Sequence, residues 1–216
     1  MIHSNLKKRL ITSFLLIVLF LLFVFSKIML IYGLIIIGVM SIIEFLNLMK
    51  KNDNKNFFKF ISNINFFNYI FFFCTFFIYF IDFIHLKILI FILILVCSAS
   101  DIGGFIFGKT FKGPKLTKIS PQKTISGAFG SIFLSSLMMP LLVLYFTSSF
   151  NYLFIIIGAI ISVACQLGDL FFSYLKRKAK IKDTGNFLPG HGGILDRIDG
   201  ILFGLPIGFC ALILFS

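Results

Sequence analysis

The sequence predicts an all-α, polytopic membrane protein with about seven transmembrane helices, its N-terminus cytoplasmic and its C-terminus outside. Three observations carry this expectation. First, 59% of the 216 residues are hydrophobic and only 13% are charged, with a mean hydropathy of +1.05. A soluble domain has no means of hiding so much apolar surface. Second, the apolar residues gather into runs close to the about 20 residues that a helix needs to cross a bilayer. Third, the basic residues fall on alternate connections.

The spans follow in order. Residues 10–26 come directly after MIHSNLKKRL. No small-residue cleavage site follows the run, so it is expected to be a retained first helix and not a removed signal peptide. The second span is 28–46. The connector 47–65, NLMKKNDNKNFFKFISNIN, is basic and rich in Asn. It reads as a topology determinant touching anionic headgroups. The remaining spans are 66–84, 86–106, 125–146, 152–175 and 198–216. Helices are the form expected for all seven, because backbone groups in lipid must find partners within their own segment.

With the N-terminus inside, every Lys and Arg except Lys27 and Lys87 falls on the cytoplasmic side. This strong bias supports both the span count and the orientation. It also answers the net charge of +12, which in a soluble chain would point to nucleic acid; no nucleic-acid partner is expected here. Cys74, Cys97, Cys165 and Cys210 each lie within an apolar segment, without CxxC spacing or a nearby His, and read as buried inert thiols. There are 32 Phe and no Trp, and no functional weight rests on that. No internal repeat and no separable soluble domain stand out. The chain is expected to be one integral membrane domain, 1–216, with N-terminal helices in 1–89 and the chemistry in the helices and cytoplasmic loops of 90–216.

Of the eight acids, Asp101, Asp169, Asp183, Asp196 and Asp199 sit near the expected cytoplasmic ends of the fourth, sixth and seventh spans. A single such Asp reads as a snorkelling helix-end charge, or as an ion pair with Arg197 or Lys176. Several bordering the same two loops point to a metal site, because ionised groups at membrane depth are costly. Asp169, Ser173 and Lys176 are spaced i, i+4, i+7 and share one helix face. Asp196 and Asp199, at i and i+3, share another. Antiparallel packing of these helices would gather Asp169, Asp196 and Asp199, an all-oxygen set that suits Mg²⁺. His191 stands alone in a Gly-rich turn and reads as a hydrogen-bonding or phosphate-contacting group, not a zinc ligand.

The loop Pro189-Gly190-His191-Gly192-Gly193 leads into the last span. It is either an ordinary tight turn or an anion site at a helix start. Its neighbours Lys176, Arg177, Lys182 and Arg197 favour the anion site. Upstream, Gly103, Gly104 and Gly108 would let one helix pack closely on another. Lys109, Lys112, Lys115, Lys118 and Lys123 make the following loop basic. That loop serves topology, or it acts as a lid bringing cations to a polyphosphate; the run Ser120-Pro121-Gln122-Lys123-Thr124 favours the lid.

Both loops resemble those of phosphatidate cytidylyltransferases, also called CDP-diacylglycerol synthases. The family pattern S-x-x-K-R-x(4)-K-D-x-G-x-x-L-P-G-H-G-G-x-x-D-R-x-D is met from Ser173 to Asp199, through Lys176, Arg177, Lys182, Asp183, Gly185, Leu188, Pro189, Gly190, His191, Gly192, Gly193, Asp196 and Arg197. Gly168 and Asp169 fit ahead of it. The upstream loop matches at Asp101, Gly104, Phe105, Gly108, Lys115, Leu116, Ser120, Pro121, Lys123, Thr124 and Gly127. It departs at Gln122, Ile125 and Ser126, where Lys, Trp and Glu are usual. The resemblance covers roughly residues 90–216.

The resemblance implies that CTP and phosphatidic acid give CDP-diacylglycerol and pyrophosphate at the cytoplasmic face of a bacterial inner membrane. It further implies Mg²⁺ as cofactor and a homodimer. It places Asp169, Asp196 and Asp199 at the metal, with Ser173 and Lys176 beside them. Lys123, Arg177, Lys182, His191, Gly192, Gly193 and Arg197 are expected to engage substrate. Two alternatives remain: a CTP-using enzyme with another lipid acceptor, and a membrane anion transporter with the basic loops as vestibule. The transporter would place polar residues at mid-depth in several spans, whereas the first, third and fifth are nearly featureless there.

Overall fold

The computed structural model describes residues 18–19, 21–23, 25–52, 56–117, 119–187 and 192–215. Its named elements are all α-helices: α1 (Lys27–Lys50), α2 (Asn56–Phe80), α3 (Ile84–Phe111), α4 (Ile125–Thr147), α5 (Leu153–Lys178) and α6 (Leu195–Phe215). All six are long and apolar enough to cross a membrane. The protein is therefore an all-α, multi-pass membrane protein. The span expected at 10–26 lies largely outside the described residues.

Most helix boundaries run past the expected spans, although α2 stops at Phe80, short of 84. The largest overshoot is at α2, which starts at Asn56, inside the segment read from sequence as a connector. The apolar run marks only what hydrocarbon can hold. Backbone hydrogen bonds within a helix continue into the headgroup region at no solvation cost, so the polar residues from Asn56 to Asn65 stay helical. Local chemistry fixes two helix starts. The Ser26 hydroxyl accepts a hydrogen bond from the Met29 N–H at 3.4 Å, capping α1, and Thr124 accepts from the Gly127 N–H at 3.1 Å, capping α4.

The chain divides into two compact units, 1–83 with 175–197, and 84–174 with 198–216. The first unit pairs α1 with α2 antiparallel. Phe45 stacks on Phe66 with ring centroids 3.9 Å apart, Gly38 faces Ile70 and Cys74, and Lys27 pairs with Asp82 at the far end. The polar segment 175–197 belongs to this unit.

The second unit is an antiparallel bundle held by small residues. A Cβ on Gly103 would lie 2.5 Å from the Gly130 carbonyl oxygen, and one on Gly127 would lie 2.8 Å from the Gly104 oxygen. The Gly residues of α3 thus admit the backbone of α4, as the sequence led one to expect. Gly158 brings α5 onto Ser135 of α4, while Gly204 and Gly208 bring α6 onto Cys165, Cys97, Ile161 and Leu93. Between lipid-immersed helices, packing and hydrogen bonds replace the hydrophobic effect as the drive for association. The buried Ser100 and Ser162 hydroxyls meet at 2.9 Å, and the Gln166 amide donates to the Ala128 oxygen at 3.3 Å.

The Gly103–Gly130 crossing yields a test. Gly103→Val places a side chain against a backbone carbonyl that has no rotamer to escape into. Thermal unfolding in detergent is expected to show a loss of about 1–3 kcal/mol or more. An unchanged midpoint would contradict the close crossing.

Candidate active site

In the second unit the basic loop is shaped by short-range chemistry. Lys112 ends α3 in a left-handed conformation, φ 45°. Ser120 to Lys123 form a tight turn, with the Lys123 N–H donating to the Ser120 oxygen at 3.1 Å and Pro121 at the position where its fixed φ is favourable. The Leu116 N–H donates to the Lys123 oxygen at 2.8 Å, and Lys115 and Thr124 form an antiparallel bridge. Thr124 then caps α4. Lys123 is thus fixed between a turn and a helix start, and its ammonium donates to Asp169 Oδ2 at 2.6 Å.

Asp169 lies where α5 and α6 touch. A Cβ on Gly168 would be 2.6 Å from the Asp199 carbonyl oxygen, and one on Gly200 would be 3.2 Å from Asp169 Oδ1. The two glycines let the backbones meet and put Asp169 and Asp199 on either side of one crossing. Asp199 Oδ1 accepts from the Gly200 N–H at 3.0 Å. Ser173 is half-buried one turn beyond Asp169.

The polar cluster of the first unit centres on Asp196, whose side chain is only 6% exposed. Its Oδ1 accepts from the Lys176 ammonium at 2.7 Å. Its Oδ2 accepts from the Thr184 N–H at 2.8 Å, the Gly193 N–H at 3.0 Å and the Thr184 hydroxyl at 3.1 Å. Both oxygens are therefore engaged, and the ion pair with Lys176 is one of the two pairings that the sequence suggested for an isolated Asp. Beside it lies Glu44 of α1, also buried, which accepts from the Ile194 N–H at 3.0 Å, the Leu195 N–H at 2.9 Å and the Thr184 hydroxyl at 2.8 Å. The amides at the start of α6 are thus answered by the chain's own carboxylates.

Sequence reasoning missed Glu44 as a site residue. The signal was present, since it is the lone acid within an otherwise apolar span. Its partners, about 140 to 151 positions away, carry no periodicity that would reveal them.

The remaining predicted residues are placed as follows. Arg177, Lys182 and Arg197 are exposed, and Arg177 reaches the Ile181 oxygen at 3.5 Å. Gly192 has φ +87°, a left-handed conformation that disfavours any side chain, and Gly193 is buried. His191 lies outside the described residues, together with Leu188, Pro189 and Gly190.

As a metal site, the fit is to a hard cation that asks little of the protein. Among the described residues no three His, Cys, Asp or Glu side chains are gathered into a formed cluster. Asp169 and Asp199 offer carboxylate oxygens at one helix crossing. Mg²⁺ is commonly held by one or two carboxylates and completes its shell with waters and substrate phosphates. The two-carboxylate donor set suits such an ion.

Comparison with known proteins gives the family. A model of the cytidylyltransferase family matches residues 6–215. A phosphatidate cytidylyltransferase of Rickettsia prowazekii is 45% identical over 119 residues, covering 51% of this chain and 52% of that protein. One from Helicobacter pylori is 41% identical over 123 residues (57% and 46%), and one from Staphylococcus aureus is 46% identical over 116 residues (52% and 44%). The chain spans about half the length of these curated relatives. With the family match running over nearly all of its residues, the chain belongs to the cytidylyltransferase family.

Proposed function

We propose that the protein transfers the cytidylyl group of CTP to phosphatidic acid, yielding CDP-diacylglycerol and pyrophosphate, at the cytoplasmic face of a bacterial inner membrane and as a homodimer. The observation that carries this reading is the Asp169–Lys123 pair at the α5–α6 crossing beside Asp199, in a chain of the cytidylyltransferase family. The names of the relatives support phosphatidate as acceptor.

The reaction asks little of acid–base chemistry. The lipid phosphate is already an anion at neutral pH. One of its oxygens attacks the α-phosphorus of CTP, a new P–O bond forms, and the bond to the β-phosphate breaks, with pyrophosphate leaving with the electron pair. The difficulty is that two anions must meet in line. Asp169 and Asp199 would hold Mg²⁺, with Asp196 the third carboxylate of the expected set, engaged here by Lys176 and the loop. When bound, Mg²⁺ supplies charge neutralisation and alignment at the phosphates. Lys123, Lys176, Arg177, Lys182, Arg197 and His191 would supply positive charge to the triphosphate and the departing pyrophosphate. Gly192 and Gly193 let the loop turn closely into α6. Ser173, on the same face as Asp169, would donate a hydrogen bond to a phosphate oxygen. The acyl chains stay in the bilayer while CTP arrives from water, and a site at helix ends serves both.

The reading is tested by presenting purified protein with CTP, Mg²⁺ and a set of lipid acceptors: phosphatidate, a polyprenyl phosphate and diacylglycerol. CDP-diacylglycerol formation from phosphatidate, abolished by chelator, is expected. Preference for polyprenyl phosphate would reassign the acceptor, and no nucleotide turnover would overturn the enzyme reading. Asp169→Asn is expected to lower kcat by about a hundredfold or more, and Lys123→Met to lower kcat/KM for CTP by about ten- to a hundredfold, the range seen when a charge-stabilising group is removed. Near-normal turnover in a well-folded Asp169→Asn protein would remove that carboxylate from the chemistry.

A further inference from the structure

Glu44 stands 5% exposed on α1, far along the chain from its hydrogen-bond partners. Its two oxygens take three donors from one loop: Ile194 N–H at 3.0 Å on Oε1, with Leu195 N–H at 2.9 Å and the Thr184 hydroxyl at 2.8 Å on Oε2. The first turn of any helix has N–H groups without intrahelical acceptors. A carboxylate there satisfies them and is favoured by the helix dipole. Glu44 therefore fastens the start of α6 from a different helix.

The loop is built around this carboxylate. A Cβ on Gly193 would lie 2.3 Å from Glu44 Oε2, and one on Gly185 would lie 2.7 Å from Glu44 Oε1. Neither position has room for a side chain while Glu44 is in place. The close approach of Glu44 accounts for glycine at these two positions.

Neighbouring groups of the same segment hold Asp196. Its Oδ2 takes the Thr184 and Gly193 N–H groups, and its Oδ1 takes Lys176. The Thr184 hydroxyl lies 2.8 Å from Glu44 Oε2 and 3.1 Å from Asp196 Oδ2. It carries one proton and donates to one carboxylate at a time, so it couples the two.

We propose that Glu44 is a positioning residue for the transfer reaction: it clamps Thr184 and the first turn of α6, and thereby fixes Asp196 and its partner Lys176. The proposal deepens the functional reading above and rests on it. Glu44 touches no reacting atom. Its effect travels through Thr184, Ile194 and Leu195.

The test uses the whole chain of 216 residues in detergent with Glu44→Gln, Thr184→Val and the double variant. Gln keeps the shape but replaces one acceptor by an NH₂ that cannot accept, so at least one bond is lost. Expected for Glu44→Gln is a kcat lowered about tenfold or more with KM for CTP within about twofold, because orientation and not binding has changed. Thr184→Val is expected to lower kcat in the same way, and the double variant by less than the product of the two, because both act through one contact. Amide hydrogen exchange across 192–197 is expected to speed up in Glu44→Gln while the α3–α4 crossing keeps its protection. An active wild type with unchanged kcat in Glu44→Gln and Thr184→Val would overturn the proposal alone. So would fully multiplicative effects, or exchange unchanged at 192–197. A wild type without cytidylyl transfer, whatever the exchange pattern, would sink the functional reading and this proposal with it.

Discussion

A carboxylate beside hydrocarbon is tolerated only where donors answer its charge, and this constraint organises the polar part of the protein. An unanswered Asp at the centre of a membrane helix costs about 2.5–3.5 kcal/mol on insertion scales. Here Glu44 takes two backbone N–H groups, Asp196 takes a lysine and two backbone N–H groups, the Thr184 hydroxyl lies between these two acids, and Asp169 takes Lys123. The donors come from the turn before α4, from the last turn of α5 and from the segment that leads into α6. The acids are therefore not additions to a finished bundle. The loops are packed around them.

The constraint divides the labour among residue types. Glycines set how near the backbones come: Gly168 and Gly200 at the α5–α6 crossing, Gly185 and Gly193 against Glu44. Lysines cancel charge, Lys123 on Asp169 and Lys176 on Asp196. Thr124 and Thr184 use short hydroxyl side chains to tie loop to helix or loop to carboxylate. The proposed phosphate chemistry would need such a frame, because its substrates would bring large negative charge and pull flexible cations out of line.

Much of this was legible in the sequence. Five of the expected spans correspond to α1 and α3 to α6 within a few residues, because apolar runs are set by bilayer thickness alone. The Gly103, Gly104 and Gly108 series announced a close crossing. The start of α2 was not legible from hydropathy, since polar residues at the membrane edge remain helical without being apolar. Glu44 was not legible either: a contact across some 150 positions leaves no local pattern. The sequence pointed to anion binding by the Gly-rich loop, and the structure shows the amides from Gly193 to Leu195 donating to Asp196 and Glu44. Residue type alone does not tell which anion a helix start faces.

The central claim is that charge-neutralising groups at these helix ends carry a cytidylyl transfer onto a lipid phosphate. The most direct measurement follows the label of two CTP samples through purified protein with phosphatidate and Mg²⁺. Label in the α-phosphate is predicted to move into the organic-extractable lipid, and label in the γ-phosphate to remain in water as pyrophosphate. Label from the γ-phosphate in the lipid, or none from the α-phosphate, would contradict the account.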